Sequence, residues 1–405
     1  MNLRKTIIVY RDDLLGPSET FIRAQAESLE CFRAFYLGLR RIPGLALPEG
    51  RVLILSKQGV IGKVRRARFK LLGPSESLQQ MLAAHCPAVV HAHFGPDACT
   101  AVSLARALGV PLVVTFHGYD VTVSDDLLPR TYIQRQNLLK RYGARFLCVS
   151  EFIRERVIAK GFPAEKTIVH YTGIDTDFFS GQPAISRSPV VLFVGRLVPK
   201  KGCEYLIRAM SRVEEMFPVV KLVVIGDGPM RQRLEKQAAA VLKNVHFLGV
   251  QEPTAVRDWM NRAMVFCTPS VTAESGDAEG FGMVFAEAQS MGLPVVSFAS
   301  GGIPEVVAQD RTGFLVPEGD WEALAAKLLV LLWDRKLWSR FSEAGQDRVR
   351  KLFDIKKQAA LLERIYESVL AEHSRGSFEV LSIPKRGLPA DSNRSLGLPV
   401  EQTRD

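Results

Sequence analysis

Short apolar runs alternate with amphipathic segments along most of the chain, and each run predicts a buried strand. In the first half the predicted strands are residues 6–10, 51–55, 88–93, 111–116, 146–150 and 167–171. The predicted helices between them are residues 21–29, 98–108 and 151–160. Because strands that alternate with helices form parallel sheets covered on both faces, this half is expected to be a Rossmann-like α/β domain.

The same alternation returns after a polar linker near residue 180. Here the predicted strands are residues 189–194, 221–225, 245–248, 294–298 and 313–316, and the predicted helices are 204–214, 281–290, 321–333, 337–352 and 355–370. We expect a first domain over residues 1–180 and a second over residues 181–354. A terminal helix over residues 355–373 should return to the first domain, and the Pro-, Ser- and Gly-containing residues 374–405 are expected to be a disordered tail.

The strongest chemical signal is the stretch at residues 274–292, ESGDAEGFGMVFAEAQSMG, where a polar loop turns into a helix. Gly280 and Gly282 would let the backbone approach a ligand closely, and the helix N-terminus suits an anion such as a diphosphate. Glu279 and Glu287 would lie about 12 Å apart if all the residues between them were helical. One carboxylate could then hold each end of a sugar nucleotide. The competing interpretation is a helix cap and a solvated surface charge.

The sequence motifs around these carboxylates resemble those of a known family. The spacing Glu279-x7-Glu287, the phrase GFGMVFAEA and the following GLPVVSFASGGIPEVV resemble the donor-site signature of the retaining glycosyltransferases of family 4. The resemblance extends over roughly residues 5–370, and the phrase PSETF is similar to the branch that builds exopolysaccharides such as colanic acid. It implies the GT-B fold, in which two Rossmann-like, doubly wound parallel-sheet domains face each other across a cleft. The first domain would bind the acceptor and the second the donor.

By this resemblance, two parts of the second domain would hold a nucleotide-sugar donor. The phrase GRLVPKKG places Arg196 and Lys201 after the first strand of that domain, where cations can meet a diphosphate at the carboxyl edge of the sheet. Glu279 would bind hydroxyls of the donor sugar, and Glu287 would bind the ribose. Arg196, Lys201 and Glu279 are therefore catalytic candidates.

The phrase TFHGYD in the first domain resembles the acceptor-side motif of the family. It makes His117 a further catalytic candidate, and it places Tyr119 and Asp120 on the acceptor side. His91 and His93 end the preceding predicted strand, and we expect both to be structural.

The first loop departs from the family pattern, because many relatives carry a Gly-Gly pair where Gly16 is followed here by Pro17. Ser18 and Glu19 either contact the donor or only cap the next helix, and the sequence leaves both interpretations open. The donor-binding candidates besides Glu287 are Gly16, Gly195, Gly226, Gly280, Phe281, Gly282, Met283 and Val284.

Charge is distributed unevenly, since residues 1–185 carry +8 of the net charge of +10. Residues 57–70 hold six cations and no acid, interleaved with apolar residues; the cations are Lys57, Lys63, Arg65, Arg66, Arg68 and Lys70. Such a segment either lies on an anionic membrane surface or forms a solvated basic helix. No nucleic-acid motif accompanies it. With no apolar run near 18 residues and no paired cysteines, the expected location is the cytoplasm, peripheral to the inner face of the membrane.

The expected reaction is transfer of a sugar from a UDP- or GDP-linked donor to a saccharide or a lipid-diphosphate-linked acceptor, with retention of configuration. No Asp-x-Asp metal motif stands directly at the end of a predicted strand, so neither a metal nor another cofactor is expected. Three alternatives stay open: a sugar-nucleotide epimerase with the same fold, a transferase with a small soluble acceptor, and a non-catalytic sugar-nucleotide-binding protein.

Overall fold

Two fully parallel sheets organise the described residues, which are 4–56, 59–181 and 187–381 of this computed structural model. The first sheet has seven strands in the order β3-β2-β1-β4-β5-β6-β7. These are β1 (Lys5–Leu14), β2 (Phe32–Arg41), β3 (Val52–Ser56), β4 (Pro87–His93), β5 (Leu112–Phe116), β6 (Gly143–Cys148) and β7 (Thr167–Val169). Its central strands are buried on both faces, which explains their unbroken apolar sequences.

The second sheet has six strands in the order β10-β9-β8-β11-β12-β13. These are β8 (Val190–Val194), β9 (Lys221–Ile225), β10 (Val245–Gly249), β11 (Val265–Cys267), β12 (Val295–Phe298) and β13 (Gly313–Val316). The predicted boundary after residue 180 lies in the connection between the two sheets. In both sheets the strand order reverses beside the first strand, so each sheet has a switch point at its carboxyl edge, where ligands bind in open α/β folds.

Helices cover both sheets. Those of the first half are α1 (Thr20–Glu27), α2 (Val60–Leu72), α3 (Glu76–Ala83), α4 (Gly95–Leu108), α5 (Tyr119–Thr122), α6 (Arg130–Tyr142) and α7 (Glu151–Ala159). Those of the second half are α8 (Cys203–Met216), α9 (Arg231–Val241), α10 (Pro253–Arg262), α11 (Met283–Ser290), α12 (Ile303–Val306), α13 (Trp321–Trp333), α14 (Arg335–Leu352) and α15 (Ile355–Leu381). No described helix is long and apolar enough to cross a membrane.

Strand β2 was missed by the sequence pattern, which predicted no element between residues 29 and 51. The strand lies between β1 and β3, and its aromatic residues Phe32, Phe35 and Tyr36 are buried. Its sequence, FRAFYLGLRR, is rich in aromatic residues typical of strands, but Arg33 and Gly38 interrupt the apolar run. Helices α3, α6, α9 and α10 are likewise additional to the prediction.

The chain crosses between the two domains twice, and the two crossings bind each other. The amide of Ile174 donates to the carbonyl of Phe353 at 2.8 Å, and the amide of Ile355 donates to the carbonyl of Ile174 at 2.9 Å. Gly173 permits this pairing, because a Cβ there would lie 2.5 Å from the Cα of Ile355. The two connections therefore form one short joint at the base of the cleft.

Helix α15 packs on the first sheet. Its Tyr366 is fully buried and its hydroxyl lies 2.6 Å from Nδ1 of His91, whose Nε2 lies 2.7 Å from the hydroxyl of Thr115. Glu363 of the same helix accepts the backbone N–H groups of Cys31 and Phe32. These contacts attach helix α15, which follows the second domain in the chain, to the first domain. The helix continues to Leu381, so the predicted tail does not begin at residue 374; residues 382–405 lie outside the described residues.

We expect Tyr366→Phe to lower the free energy of unfolding by about 1–3 kcal/mol, because it leaves a nitrogen of the buried His91 without a partner. Urea denaturation followed by circular dichroism measures the change. Ser368→Ala, on the exposed face of the same helix, is the matched control and should change stability by less than about 0.5 kcal/mol. Equal stability of Tyr366→Phe and the parent would show that this contact does not hold the helix.

Candidate active site

A cleft with a volume of about 360 Å³ lies between the carboxyl edges of the two sheets. It brings together residues from the first loop, the His117 loop, the interdomain crossing, the end of β8 and the start of α11. Its lining is Ser18, Thr20, Phe21, His117, Val149, Thr172, Val194, Gly195, Arg196, Lys201, Glu279, Phe281, Gly282, Met283, Val284 and Glu287. All four catalytic candidates of the sequence therefore meet in one space, although they are far apart along the chain.

Two cations after β8 differ in their surroundings. Arg196 is exposed to the cleft, and its guanidinium has no hydrogen-bond or ion-pair partner among the described residues. Lys201 is largely buried and forms an ion pair with Glu279. Burial opposes the charge of Glu279, but the ammonium groups of Lys201 and Lys200 outweigh it and lower the pKa of this carboxyl. Glu279 is therefore ionised at neutral pH.

Glu287 lies on α11 in a contrasting environment. Its side chain faces the cleft and has no hydrogen-bond partner among the described residues. Burial without a compensating cation raises the pKa of Glu287 to about 7. The carboxylate is thus poised to gain hydrogen bonds from a ligand that enters the cleft.

The N-terminus of α11 faces the same cleft. The helix begins at Met283 rather than at the predicted residue 281, so Glu279 lies on the preceding loop and the 12 Å helical spacing does not apply. Gly282 precedes the helix with a φ of 82°, and a Cβ there would lie 2.5 Å from the ring of Phe285. No side chain caps this end. Its amide groups and positive dipole are therefore available to an anion in the cleft.

His117 is held in a ring of aromatic side chains. Its Nε2 lies 3.0 Å from Nδ1 of His93, and its ring packs against Phe21 and Phe94 at 4.9 and 4.6 Å between centroids. Burial, with a smaller effect from the charge of Arg11, lowers the pKa of His117 well below its usual value. The imidazole is neutral at physiological pH, and the hydrogen bond to His93 leaves Nδ1 as the nitrogen free to meet a ligand.

The two acceptor-side candidates behave differently. Tyr119 is half exposed and Asp120 is fully buried, and neither residue belongs to the cleft lining. The carboxylate of Asp120 accepts the backbone N–H groups of Gly95, His117 and Gly118 at 2.9–3.2 Å. Asp120 therefore shapes the His117 loop from behind, which corrects the prediction that it faces the acceptor.

Three predicted donor-binding glycines, Gly16, Gly226 and Gly280, are also absent from the cleft lining. The amide of Gly16 donates to Glu19 at 3.0 Å, which folds the first loop onto itself. A Cβ at Gly226 would lie 1.9 Å from the carbonyl oxygen of Gly195, so this glycine is required by close backbone packing. These contacts give Gly16 and Gly226 a structural role beside the cleft, and direct contact of the three glycines with a donor stays a prediction.

The structure excludes side-chain capping of α1 by the first loop, and contact of this loop with the donor stays a prediction. Glu19 precedes α1 but does not cap it; its carboxylate instead binds Arg11 and the amide of Gly16. Ser18 and its neighbour Thr20 line the cleft. The cleft-facing groups of this loop are thus hydroxyls rather than the predicted glycine.

A cross-domain contact that the sequence did not reveal closes the cleft. Ser150, at the start of α7 in the first domain, donates its hydroxyl to the carbonyl of Gly280 at 2.5 Å. Gly280 also touches His117, since a Cβ at Gly280 would lie 2.1 Å from the carbonyl oxygen of His117. No local pattern marks Ser150, because its partner is 130 residues away.

Comparison with known proteins agrees with this arrangement. Residues 40–178 match the family described as "Glycosyltransferase Family 4", and residues 175–348 match "Glycosyl transferases group 1". WcaL of Salmonella typhimurium, named for colanic acid biosynthesis, is 32% identical over 69% of this chain and 74% of its own length. This chain belongs to the family 4 glycosyltransferases. WcaL of Escherichia coli K12 is 35% identical to this family 4 glycosyltransferase, over 63% of the chain and 66% of WcaL.

Two further proteins extend the comparison. The phosphatidyl-myo-inositol mannosyltransferase of Mycobacterium leprae is 30% identical to this glycosyltransferase over 71% of its chain and 75% of the relative. Anabaena Alr3699/HepE, solved in complex with UDP-glucose, superposes with a TM-score of 0.73 at 22% identity and covers 90% of this chain and 99% of its own. At that identity the likeness establishes the fold alone, and the predicted GT-B fold is confirmed.

The raised pKa of Glu287 gives the glycosyltransferase a testable pH dependence. Below about pH 7 this carboxyl is protonated, and above it the carboxylate would accept stronger, charge-assisted hydrogen bonds from the hydroxyls of a bound sugar nucleotide. The affinity for UDP-glucose or GDP-mannose, whichever binds, should therefore rise up to about tenfold between pH 6 and pH 8. Isothermal titration across this range measures it. His117, whose pKa is far lower, does not titrate in this window.

Glu287→Gln is the matched control, because it keeps the shape of the side chain and removes the ionisation. Its donor affinity should be weak and independent of pH. A parent protein with a flat profile would exclude Glu287 from the binding step.

Proposed function

We propose that this protein transfers a sugar from a nucleotide-diphosphate sugar to a saccharide or lipid-linked saccharide, with retention of configuration, in the biosynthesis of an exopolysaccharide or a related glycolipid. One observation carries the proposal: Arg196, the uncapped N-terminus of α11 and two carboxylates with opposite pKa shifts converge in one cleft. Relatives named for colanic acid biosynthesis and for phosphatidylinositol mannosylation support the class of product.

The diphosphate binds between Arg196 and the start of α11. Negative charge grows on the diphosphate as the bond from the sugar breaks, so donors placed there stabilise the transition state more than the bound substrate. Arg196 supplies a planar guanidinium suited to two phosphate oxygens, and Met283 begins the helix whose amides supply the rest. Glu287 accepts the ribose hydroxyls.

Glu279 and Lys201 act together beside the donor sugar. Glu279 is held ionised by Lys201 and accepts hydrogen bonds from sugar hydroxyls. Lys201 has three N–H groups, so it can bind Glu279 and a phosphate oxygen at the same time. The ion pair thereby links the hydroxyls of the sugar to its leaving group.

Transfer proceeds on the face of the sugar from which the diphosphate departs. The bond from the anomeric carbon to the phosphate oxygen breaks, the bond to the acceptor oxygen forms, and the acceptor proton passes to the departing phosphate oxygen. Neutral His117 hydrogen-bonds to the donor sugar through Nδ1. We expect turnover without a divalent cation, because fixed cations and a helix end face the leaving group. The donor carries uridine or guanosine.

The exposed face of α2 supports a lipid-linked acceptor. Val60, Ile61 and Val64 are 61–76% exposed at its start, and Leu71 and Leu72 are 72–77% exposed at its end. Exposed cations of the same helix, among them Lys63, Arg65 and Arg68, are interleaved with this apolar set, and Lys57 lies outside the described residues. We propose that α2 lies on the anionic cytoplasmic face of a membrane, apolar groups in the interface and cations toward headgroups.

We expect Lys201→Gln to lower kcat/KM by about 10²-fold or more, because it removes charge from the leaving group and leaves Glu279 unpaired. Transfer from radiolabelled UDP- and GDP-sugars to a membrane extract, with and without a chelator, measures it. The neighbouring Lys200→Gln, which loses the ion pair to Asp277 but leaves Lys201 bound to Glu279, should stay within about threefold of the parent. Full activity of Lys201→Gln would remove the donor-site assignment.

For the membrane surface, we expect binding to anionic phosphatidylglycerol vesicles but not to neutral phosphatidylcholine vesicles, weakened by salt because exposed charges are screened. Ile61→Ser combined with Val64→Ser should reduce this binding in flotation assays and leave nucleotide affinity unchanged. Leu138→Ser with Val241→Ser, which alters half-exposed apolar residues elsewhere, is the control. Unchanged flotation of the α2 variant would make a soluble acceptor the better hypothesis.

A further inference from the structure

A second cavity, of about 420 Å³, lies in the first domain beside α2 and shares no lining residue with the donor cleft. It opens at the carboxyl edge of the first sheet, between the ends of β1 and β2 and the N-termini of α4 and α6. Four cations line it: Arg40, Arg66, Lys70 and Arg135. This concentration of positive charge lies within the basic half of the protein.

Two of the four cations are neutralised, and two are not. Arg40 pairs with Asp13, and Lys70 pairs with Asp12. The third carboxylate of the lining, Asp97, is bound by the buried Arg11 from behind the cavity.

The other two arginines form no ion pair among the described residues. Arg66 donates to the hydroxyl of Ser56 at 2.9 Å, and Arg135 donates to the carbonyl of Lys70 at 2.7 Å. Each guanidinium has further N–H groups to offer, and the two lie on different helices that flank the cavity. Two fixed guanidiniums without carboxylate partners favour an anionic ligand with several acceptor oxygens.

The start of α6 adds to this positive potential. The helix follows Pro129, has no side-chain cap and carries no acid in its first turn, and both Pro129 and Thr131 line the cavity. A helix N-terminus alone would not define a site, but here it faces the same space as the two unpaired arginines.

We infer that this cavity binds the phosphate or diphosphate through which the acceptor is linked to its carrier. The inference rests on the proposed function, since it supplies the acceptor end of that reaction. Lys70 and Leu71 line the cavity, and Leu71 also belongs to the exposed apolar face of α2, so a lipid tail at the membrane and its diphosphate in the cavity would be continuous.

The cavity is also connected to the donor cleft. Asp97 lines the cavity and binds Arg11, which binds Glu19. Glu19 is flanked by Ser18 and Thr20, which line the donor cleft. An acceptor sugar would thus lie over this ion-pair network, with its phosphate on one side and its reacting hydroxyl on the other.

The test is titration of geranyl diphosphate, inorganic pyrophosphate and geraniol into the full-length protein, with UDP and GDP present to fill the donor cleft. We expect geranyl diphosphate to bind, geraniol not to bind, and the combination of Arg66→Gln and Arg135→Gln to weaken the diphosphate at least about tenfold. Tighter binding of geranyl diphosphate than of pyrophosphate supports a lipid-linked phosphate. Equal binding supports the anion site and assigns it to a phosphate without a lipid.

Lys63→Gln with Arg141→Gln is the charge-matched control, because both residues are exposed on α2 and α6 and line neither the second cavity nor the donor cleft. It should bind geranyl diphosphate like the parent. The inference is overturned if the Arg66 and Arg135 variant also binds like the parent, or if only Arg196→Gln loses the diphosphate, which would place the anion in the donor cleft. Separate titrations of UDP and GDP test whether the protein binds a nucleotide in the donor cleft. They therefore distinguish failure of this inference from failure of the proposed function.

Discussion

The contact between the loops at His117 and Gly280 is the constraint on which the cleft depends. It joins the carboxyl edges of the two sheets, and it is possible only because Gly280 has no side chain to meet the carbonyl of His117. Gly301 and Gly302 pack behind it with similar closeness, at the carbonyls of Glu279 and Gly280. The position of Glu279 and of the helix after it is therefore set by backbone contact, and Ser150 fixes the same loop from the first domain.

Around this contact, the electrostatic character of each acidic group follows from its nearest partners. Glu279 and Glu287 line one cleft, yet lysine ammonium groups lower the pKa of the first while burial raises that of the second. Asp120 is more deeply buried than either and is satisfied by backbone amides, so it organises a loop rather than a ligand. The same residue type thus fills three roles because the surroundings differ.

The coupling of the domains also depends on connections outside the contact between His117 and Gly280. The paired crossings at Ile174 and Phe353 hold the base of the joint, while α15 fastens the end of the chain to the first sheet through Tyr366 and Glu363. Because both sheets present their carboxyl edges to one cleft, the proposed donor on the second domain would face the proposed acceptor on the first. The ion-pair network of Arg11 extends this acceptor side toward α2.

The sequence by itself determined the two parallel-sheet domains and their approximate boundary, because buried parallel strands require apolar runs that are visible without a structure. It also determined the family and nominated Arg196, Lys201, Glu279 and His117, because motifs at strand ends carry that information locally. Strand β2 was not predicted, because Arg33 and Gly38 interrupt its apolar run. Only the tertiary structure decided which nominated residues face the cleft. Four features depend on residues that are distant in the chain: burial, the Lys201 ion pair, the Ser150 contact and the arginine-lined cavity. A local sequence pattern does not predict which distant residues come together.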